Sequence, residues 1–284
     1  KMRKIAIALG LLLVFLFIYR VEVLLFAARN AMEFARDVGP NREVAWQRGP
    51  HVASMPPAER PPNIVLILAD DMGWNDVSTY GGGAGEGSVK TPNIDALARE
   101  GVAFTTGYAG NGTCAPSRAA ILSGRYGTRF GFEFTPTPEM MAPLMNVVIS
   151  ADSSERRPPI MNPESESVPF DDKGMPTSEI TIAETLRAAD YHTVHIGKWH
   201  VGESNGMAAN DQGFDESLNM AGMLFLPEEH PDAVNSKQEF DPIDRFLWTA
   251  GGYGVSYNGG PDFEPQGHVT DYYTDEAVKV IEAN

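Results

Sequence analysis

Three short stretches hold side chains with chemistry to do. Asp70 and Asp71 close the apolar run "NIVLILAD" and the acid that follows it. Paired carboxylates are hard oxygen ligands of the kind Ca2+ and Mg2+ take, and the carboxyl end of a parallel strand is where ligands gather in open α/β sheets. Neighbouring side chains on a strand point to opposite faces, so both acids reach one ion only if the strand has ended by Asp71. Met72-Gly73 supplies a turn there. Cys114, the one cysteine in 284 residues, sits in "NGTCAPSR". Pro116 suits the first turn of a helix that stops at Gly124, which puts Cys114 at the helix N-terminus, where an anion or a thiolate is favoured. A lone cysteine is more often an inert buried side chain. Arg118, one turn on, adds a planar donor fork matched to sulfate and phosphate oxygens. In "HIGKWHVG", Lys198 and His200 follow a strand; two apart, they share a face if the chain stays extended, one offering a point charge and the other a mobile proton. Acidic loops, and lysines and histidines in loops, are common without any such role, so no stretch is specific alone.

The elements that must position these residues alternate. "NIVLILAD" has the continuous apolar character of a strand buried on both faces of a parallel sheet. After a glycine-rich loop at 81–87, "TPNIDALAREG" predicts a helix with Thr91 as its cap, Pro92 at its first position and Gly101 at its end. Val102 to Tyr108 reads as a second strand. Ser178 to Ala189 has capping residues and helical periodicity, and "YHTVHIG" after it reads as another strand. Strand, helix, strand in this rhythm predicts an α/β fold with a mostly parallel central sheet flanked by helices. Residues 139–176, rich in Pro, Ser, Met and acids, read as a long excursion, and 248–263, mixing glycine with aromatics, as a surface loop with a few packed rings.

Composition sets limits on function. A formal charge of −16 argues against a broad basic face for nucleic acid, so an anionic substrate needs a local positive pocket. One cysteine allows no internal disulfide. Lys1, Arg3 and Lys4 precede an apolar run from Ile5 to Tyr19, with more apolar residues from Val23 to Ala28. The run is shorter than the roughly 20 residues of a full span. A cleaved signal peptide and a retained anchor both fit; the anchor is preferred because no small-x-small cleavage site follows closely, and the basic flank should stay cytoplasmic and send the rest of the chain out. The expected organisation is a membrane anchor or signal segment over 1–35, a linker over 36–62 and a globular domain over 63–284.

Taken together, the three stretches resemble the sulfatase family of the alkaline-phosphatase-like superfamily. "NIVLILADDMGWNDVSTYGG" is similar to the family's opening strand and metal acids, and "TPNIDALAREGVAFTTGYAGNGTCAPSRAAILSGRYGTRFG" contains its Cys-x-Pro-Ser-Arg signature with the trailing Leu122-Ser123-Gly124-Arg125. "EITIAETLRAADYHTVHIGKWHVG" resembles its helix-strand-Gly-Lys-x-His block, and "GFDES" at 213–217 a later element. The resemblance implies an arylsulfatase-like sulfuric ester hydrolase of alkaline-phosphatase-like α/β sandwich fold, acting on a sulfate-ester substrate. It implies that a formylglycine-generating or sulfatase-maturing enzyme oxidises Cys114 to formylglycine, whose aldehyde becomes a geminal diol in water. One hydroxyl of residue 114 then binds the metal, Ca2+ or alternatively Mg2+, held with Asp70 and Asp71, and attacks sulfur. The alcohol leaves a sulfated enzyme, and deprotonation of the second hydroxyl, assigned to His200, expels sulfate. Arg118 is implied to hold the diol and the metal-side oxygens, and Lys198 to stabilise the developing sulfate charge.

Sulfatases of this type carry a further histidine, an Asp-Asn or Asp-His metal pair and another lysine in their second half. Neither His230 and His268 nor Asp241 and Asp244 stands in a fitting context. The 284 residues therefore read as the N-terminal portion of a longer enzyme, inactive alone. Two alternatives stay open: a phosphoesterase of the same superfamily, against which the intact cysteine signature counts, and a non-catalytic membrane-tethered binding protein. The sequon Asn111-Gly112-Thr113 lies beside the nucleophile and is not expected to carry a glycan.

Overall fold

The computed structural model describes residues 2–35, 37–49, 55–82, 85–136, 168–222 and 253–284. The chain forms two compact units, one of residues 1–50 with 136–284, the other of residues 51–135.

The first unit begins with two helices, α1 (Met2–Ile18) and α2 (Arg20–Ala35). No single helix among the described residues is long and apolar enough to cross a membrane; the pair Gly10–Ile18 and Arg20–Ala28 meets that test together, bent by 77°. Leu11, Phe15, Phe17 and Phe26 are exposed along it, while Val21 and Leu25 are buried.

The sheet of this unit has the order β1-β2-β3. Strand β1 (Val194–Gly197) pairs in parallel with β2 (Glu216–Met220), which pairs antiparallel with β3 (Val255–Tyr257). The described sheet is thus mixed, one pair of each sense, within the expected α/β class. Two of its helices follow local signals. Helix α5 (Ile182–Arg187) starts at a capping box, with the Glu184 N–H donating to Thr181 Oγ1 at 3.1 Å and the Thr181 N–H to Glu184 Oε2 at 2.7 Å. Helix α6 (Val269–Ala283) is capped by His268, whose Nδ1 accepts from the Thr270 N–H at 3.3 Å. Leu218, Val255, Phe263, Tyr272 and Val44 form the core. Phe263, from the stretch expected to be a surface loop, is buried at its centre.

Val44 belongs to residues 37–49, part of the expected linker, and that segment is strapped across the sheet. The Gly39 N–H donates to the Asp262 carbonyl and the Glu264 N–H to the Gly39 carbonyl, both at 2.9 Å. Arg42 lies 4.6 Å over the Phe263 ring, and Trp46 meets Tyr257 edge-on and donates to Glu276 at 2.7 Å. The Gln47 N–H donates to Glu216, at 3.1 Å to Oε1. Glu216 is wholly buried and also meets the Tyr257 hydroxyl and, at 2.8 Å, His192 Nε2. Burial, followed by the hydrogen bond and charge of Glu216, pushes the Tyr257 hydroxyl well above the usual phenol range. A buried carboxylate is tolerated only with such partners, and removing it strands them. Glu216→Ala is expected to cost roughly 3 kcal/mol, with Glu216→Gln milder, as measured by urea unfolding.

The second unit contains α3 (Pro92–Glu100) and α4 (Cys114–Ser123). Helix α3 has the predicted boundaries, Thr91 preceding it, Pro92 opening it and Gly101 closing it. Its first turn is tied to the turn at Ser78–Tyr80: Asp95 accepts from Ser78 Oγ and Thr79 Oγ1, each at 2.7 Å, and from Thr91 Oγ1 at 3.1 Å. The hydroxyls of Thr79 and then Ser78 lower the Asp95 pKa from its ordinary 3.8. A folded-state value below the unfolded one means stabilisation that is present above the unfolded pKa and lost as pH falls through the folded one. Asp95→Asn should therefore flatten the acid limb of the stability–pH curve below about pH 4, measurable by thermal melts from pH 2 to 6.

The two apolar runs expected as strands in this unit, 63–69 and Val102 to Tyr108, join no ladder among the described residues. Ile67 is 83% and Tyr108 90% exposed. Apolar continuity records a segment's demand for neighbours on both faces, not who supplies them.

Candidate functional site

The condition placed on Asp70 and Asp71 is met. Asp71 has φ 53°, in the left-handed region, so the extended run ends at that residue and the alternation that would splay the two side chains stops with it. Oxygen atoms of Asp70 and Asp71 and Sγ of Cys114 lie within 4.8 Å of one another.

Cys114 is brought there by α4. Thr113 precedes the helix with extended backbone, Cys114 is its first residue, and Gly124 ends it at φ 66°, a conformation glycine adopts without Cβ strain. Ala115 and Ala119 are fully buried and anchor one face, leaving Cys114 half-exposed, with Sγ 4.0 Å from Asp71 Oδ1. Arg118, one turn along, donates from Nη2 to Asp70 Oδ1 at 2.9 Å; the two side chains are 11% and 22% exposed. Two acids this close repel each other, and the guanidinium offsets part of that charge. The donor set fits a hard divalent cation at Asp70 and Asp71. A thiol as third ligand does not match; an oxygen at position 114 would.

Lys198 and His200 belong to the other unit, on the turn that follows β1, and both are half-buried. Gly197 has φ 110° and His200 φ 63°. The backbone is therefore not extended across this turn, and the two-residue spacing does not give Lys198 and His200 a common face. What holds the turn is Trp199 between them. It is buried, donates from Nε1 to the Met207 carbonyl at 2.9 Å and packs edge-on against His195 and Phe214. His195 bonds through Nδ1 to Asn219 Oδ1 at 2.8 Å. Nearby, burial and then the charge of Asp262 raise the Glu203 carboxyl above its ordinary range.

The "GFDES" element needs its first residue to be glycine for a local reason. Gly213 has φ 102°, and a Cβ there would stand 2.4 Å from the Glu184 backbone nitrogen at the start of α5. Gly213→Ala combines a forbidden conformation with a backbone clash and is expected to cost about 3 kcal/mol or more, read from the shift in the urea midpoint. His230, Asp241 and Asp244 lie outside the described residues, and His268 serves as the cap of α6. Asn111, read from the sequence only as part of a sequon, accepts at Oδ1 from the Thr113 N–H at 3.0 Å; the signal for this is an Asn two residues before a helix cap, the spacing of an Asx turn.

The sulfatase family matches residues 62–284, and the chain belongs to that family. It is 36% identical over 191 residues to the N-acetylgalactosamine-6-sulfatase of Rattus norvegicus, covering 66% of this chain and 31% of the relative. It is 32% identical over 227 residues to the enzyme of that name from Mus musculus, covering 79% and 37%, and 37% identical over 163 residues to human arylsulfatase A, covering 57% and 25%. The chain thus spans 31% and 37% of the two N-acetylgalactosamine-6-sulfatases. Among solved structures, the crystal structure of Ps i-CgsB aligns with TM-score 0.53 and 28% identity over 78% of this chain and 42% of that one. The same protein in complex with k-i-k-neocarrahexaose aligns with TM-score 0.53 and 26% identity, over the same shares of the two chains.

Proposed function

We propose that the protein hydrolyses sulfate esters, with residue 114, converted from cysteine to formylglycine by a maturation enzyme, as nucleophile. The observation that carries this is the meeting of Asp70, Asp71 and Cys114 within 4.8 Å, with Arg118 bonded to Asp70. Conversion replaces a soft sulfur by hydrate oxygens, the donor that a hard cation beside two carboxylates requires. A Ca2+ or Mg2+ held by Asp70, Asp71 and residue 114 would supply charge neutralisation and a lowered hydroxyl pKa. Arg118 keeps the acid pair in place and presents donors to the hydrate and to sulfate oxygens. Lys198 is assigned to the sulfate charge that develops as the ester bond breaks, and His200 to removing the proton of the second hydroxyl so that sulfate departs.

The relatives' names make sugar sulfates the first substrates to test beside an aryl sulfate. Residues 63–284 are the catalytic part in this reading. The exposed apolar helices at 1–35 support an exported protein held at a membrane by them. The experiment is sulfate release from 4-nitrocatechol sulfate and N-acetylgalactosamine 6-sulfate by full-length protein co-produced with a maturation enzyme. Turnover is expected once mass spectrometry shows formylglycine at position 114. A converted protein that releases no sulfate, or that releases phosphate from the matching phosphate esters instead, would overturn the proposal.

A further inference from the structure

The approach to Cys114 is held by one side chain that the proposed chemistry does not use. Asn111 Oδ1 accepts from the Thr113 N–H at 3.0 Å and from Thr113 Oγ1 at 3.1 Å, while Asn111 Nδ2 donates to the Glu133 carbonyl at 3.3 Å. Its backbone is clamped as well, because Ser117 Oγ accepts from the Asn111 N–H at 3.0 Å and donates to the Asn111 carbonyl at 2.6 Å. The Ser117 N–H returns to the Thr113 carbonyl at 3.3 Å. Thr113 stands at the capping position of α4 but makes no side-chain cap bond; its hydroxyl is spent on Asn111. The two bonds to Thr113 set the backbone torsions from which residue 114 departs. That residue has a short side chain, so a small rotation at Thr113 carries its reactive atom away from Asp70 and Asp71.

We infer that Asn111 is a positioning residue, acting through Thr113 to aim the side chain of residue 114 at the Asp70–Asp71 pair. The inference rests on the proposed sulfatase reading for its catalytic consequence and on geometry alone for the aim itself.

The test compares wild-type protein with Asn111→Ala and Asn111→Asp. Aspartate keeps the acceptor for Thr113 and gives up the donor to Glu133; alanine loses both. In full-length protein made without maturation, the rate of Cys114 alkylation by iodoacetamide is measured with and without saturating Ca2+. In matured protein, kcat and KM are measured for an aryl sulfate, and urea midpoints are taken for all three. Calcium on the acid pair, where Asp71 Oδ1 lies 4.0 Å from Sγ, should hinder access of the reagent to the thiol without being ligated by it, in wild type and Asn111→Asp alike, and clearly less in Asn111→Ala. The kcat of Asn111→Ala should fall about 10- to 100-fold at a KM within about twofold, the scale of a misplaced reacting group, with Asn111→Asp recovering most of it. Unchanged protection and kcat in Asn111→Ala would overturn the inference. So would equal losses in both variants, which would place the effect in the Glu133 contact, or losses that simply follow the urea midpoint. Calcium without effect on wild-type Cys114 would remove the aim itself. If matured wild type releases no sulfate, the functional reading fails while the alkylation result still decides on Asn111.

Discussion

On the proposed sulfatase reading, Cys114→Ala in the full-length, matured protein is expected to lower sulfate release by at least about 10³-fold, the scale of losing a nucleophile, with the fold intact. The reason is local. Residue 114 opens α4 at its exposed corner, whereas Ala115 and Ala119 carry the helix's buried contacts, so trimming Sγ removes chemistry and little packing. Arg118→Ala should be nearly as damaging, by about 10²-fold or more, and for two reasons. It removes the donor fork, and it leaves the Asp70 carboxylate without the guanidinium that bonds it at 2.9 Å. Arg118→Lys separates these effects, since lysine keeps a charge near Asp70 but not the planar pair of donors; it should recover stability more fully than turnover. Sulfate release by matured Cys114→Ala near the wild-type rate would refute the assignment of residue 114.

The second large effect concerns the metal. If Asp70 and Asp71 bind Ca2+, the ion should raise the melting temperature of wild-type protein, since a ligand that binds only the folded state adds about 2.7 kcal/mol at a concentration 100 times its Kd. In Asp70→Asn/Asp71→Asn this gain should vanish. The calcium-free melts of the same two proteins control for the Arg118 partner that the variant loses. A double variant whose melting temperature still climbs with Ca2+ as the wild type's does would show that the ion binds elsewhere. Mg2+ titrated in parallel should produce a smaller rise if the site prefers the larger cation, whose coordination tolerates irregular geometry.

Much of the candidate site was legible because its signals are short. Thr91, Pro92 and Gly101 bound α3, Gly124 closes α4, and Met72-Gly73 follows the point where Asp71 turns the chain. Each works over a few residues through backbone torsions and capping bonds, so the residues present dictate the outcome. The Lys198–His200 pair shows where this reasoning fails. Their spacing suggested a shared face, but His200 takes a left-handed torsion. Nothing in "GKWHVG" announces that, because the cause is Trp199 buried against His195, Phe214 and the Met207 carbonyl.

From the sequence alone follow the family, the α/β class, and the acid pair with the cysteine at a helix start. These rest on composition, on motif spacing and on local conformational preference. Tertiary structure decided which strands pair, that residues 37–49 strap the sheet through Val44, Trp46 and Gln47, and that Glu216 is a buried hub for His192, Tyr257 and Gln47. It decided too that the Asn111 side chain bonds to Thr113, the residue before Cys114. Hydrophobic and polar patterns state that a residue needs a partner, whereas the choice among partners far apart in the chain is made only when the whole set of contacts is satisfied at once.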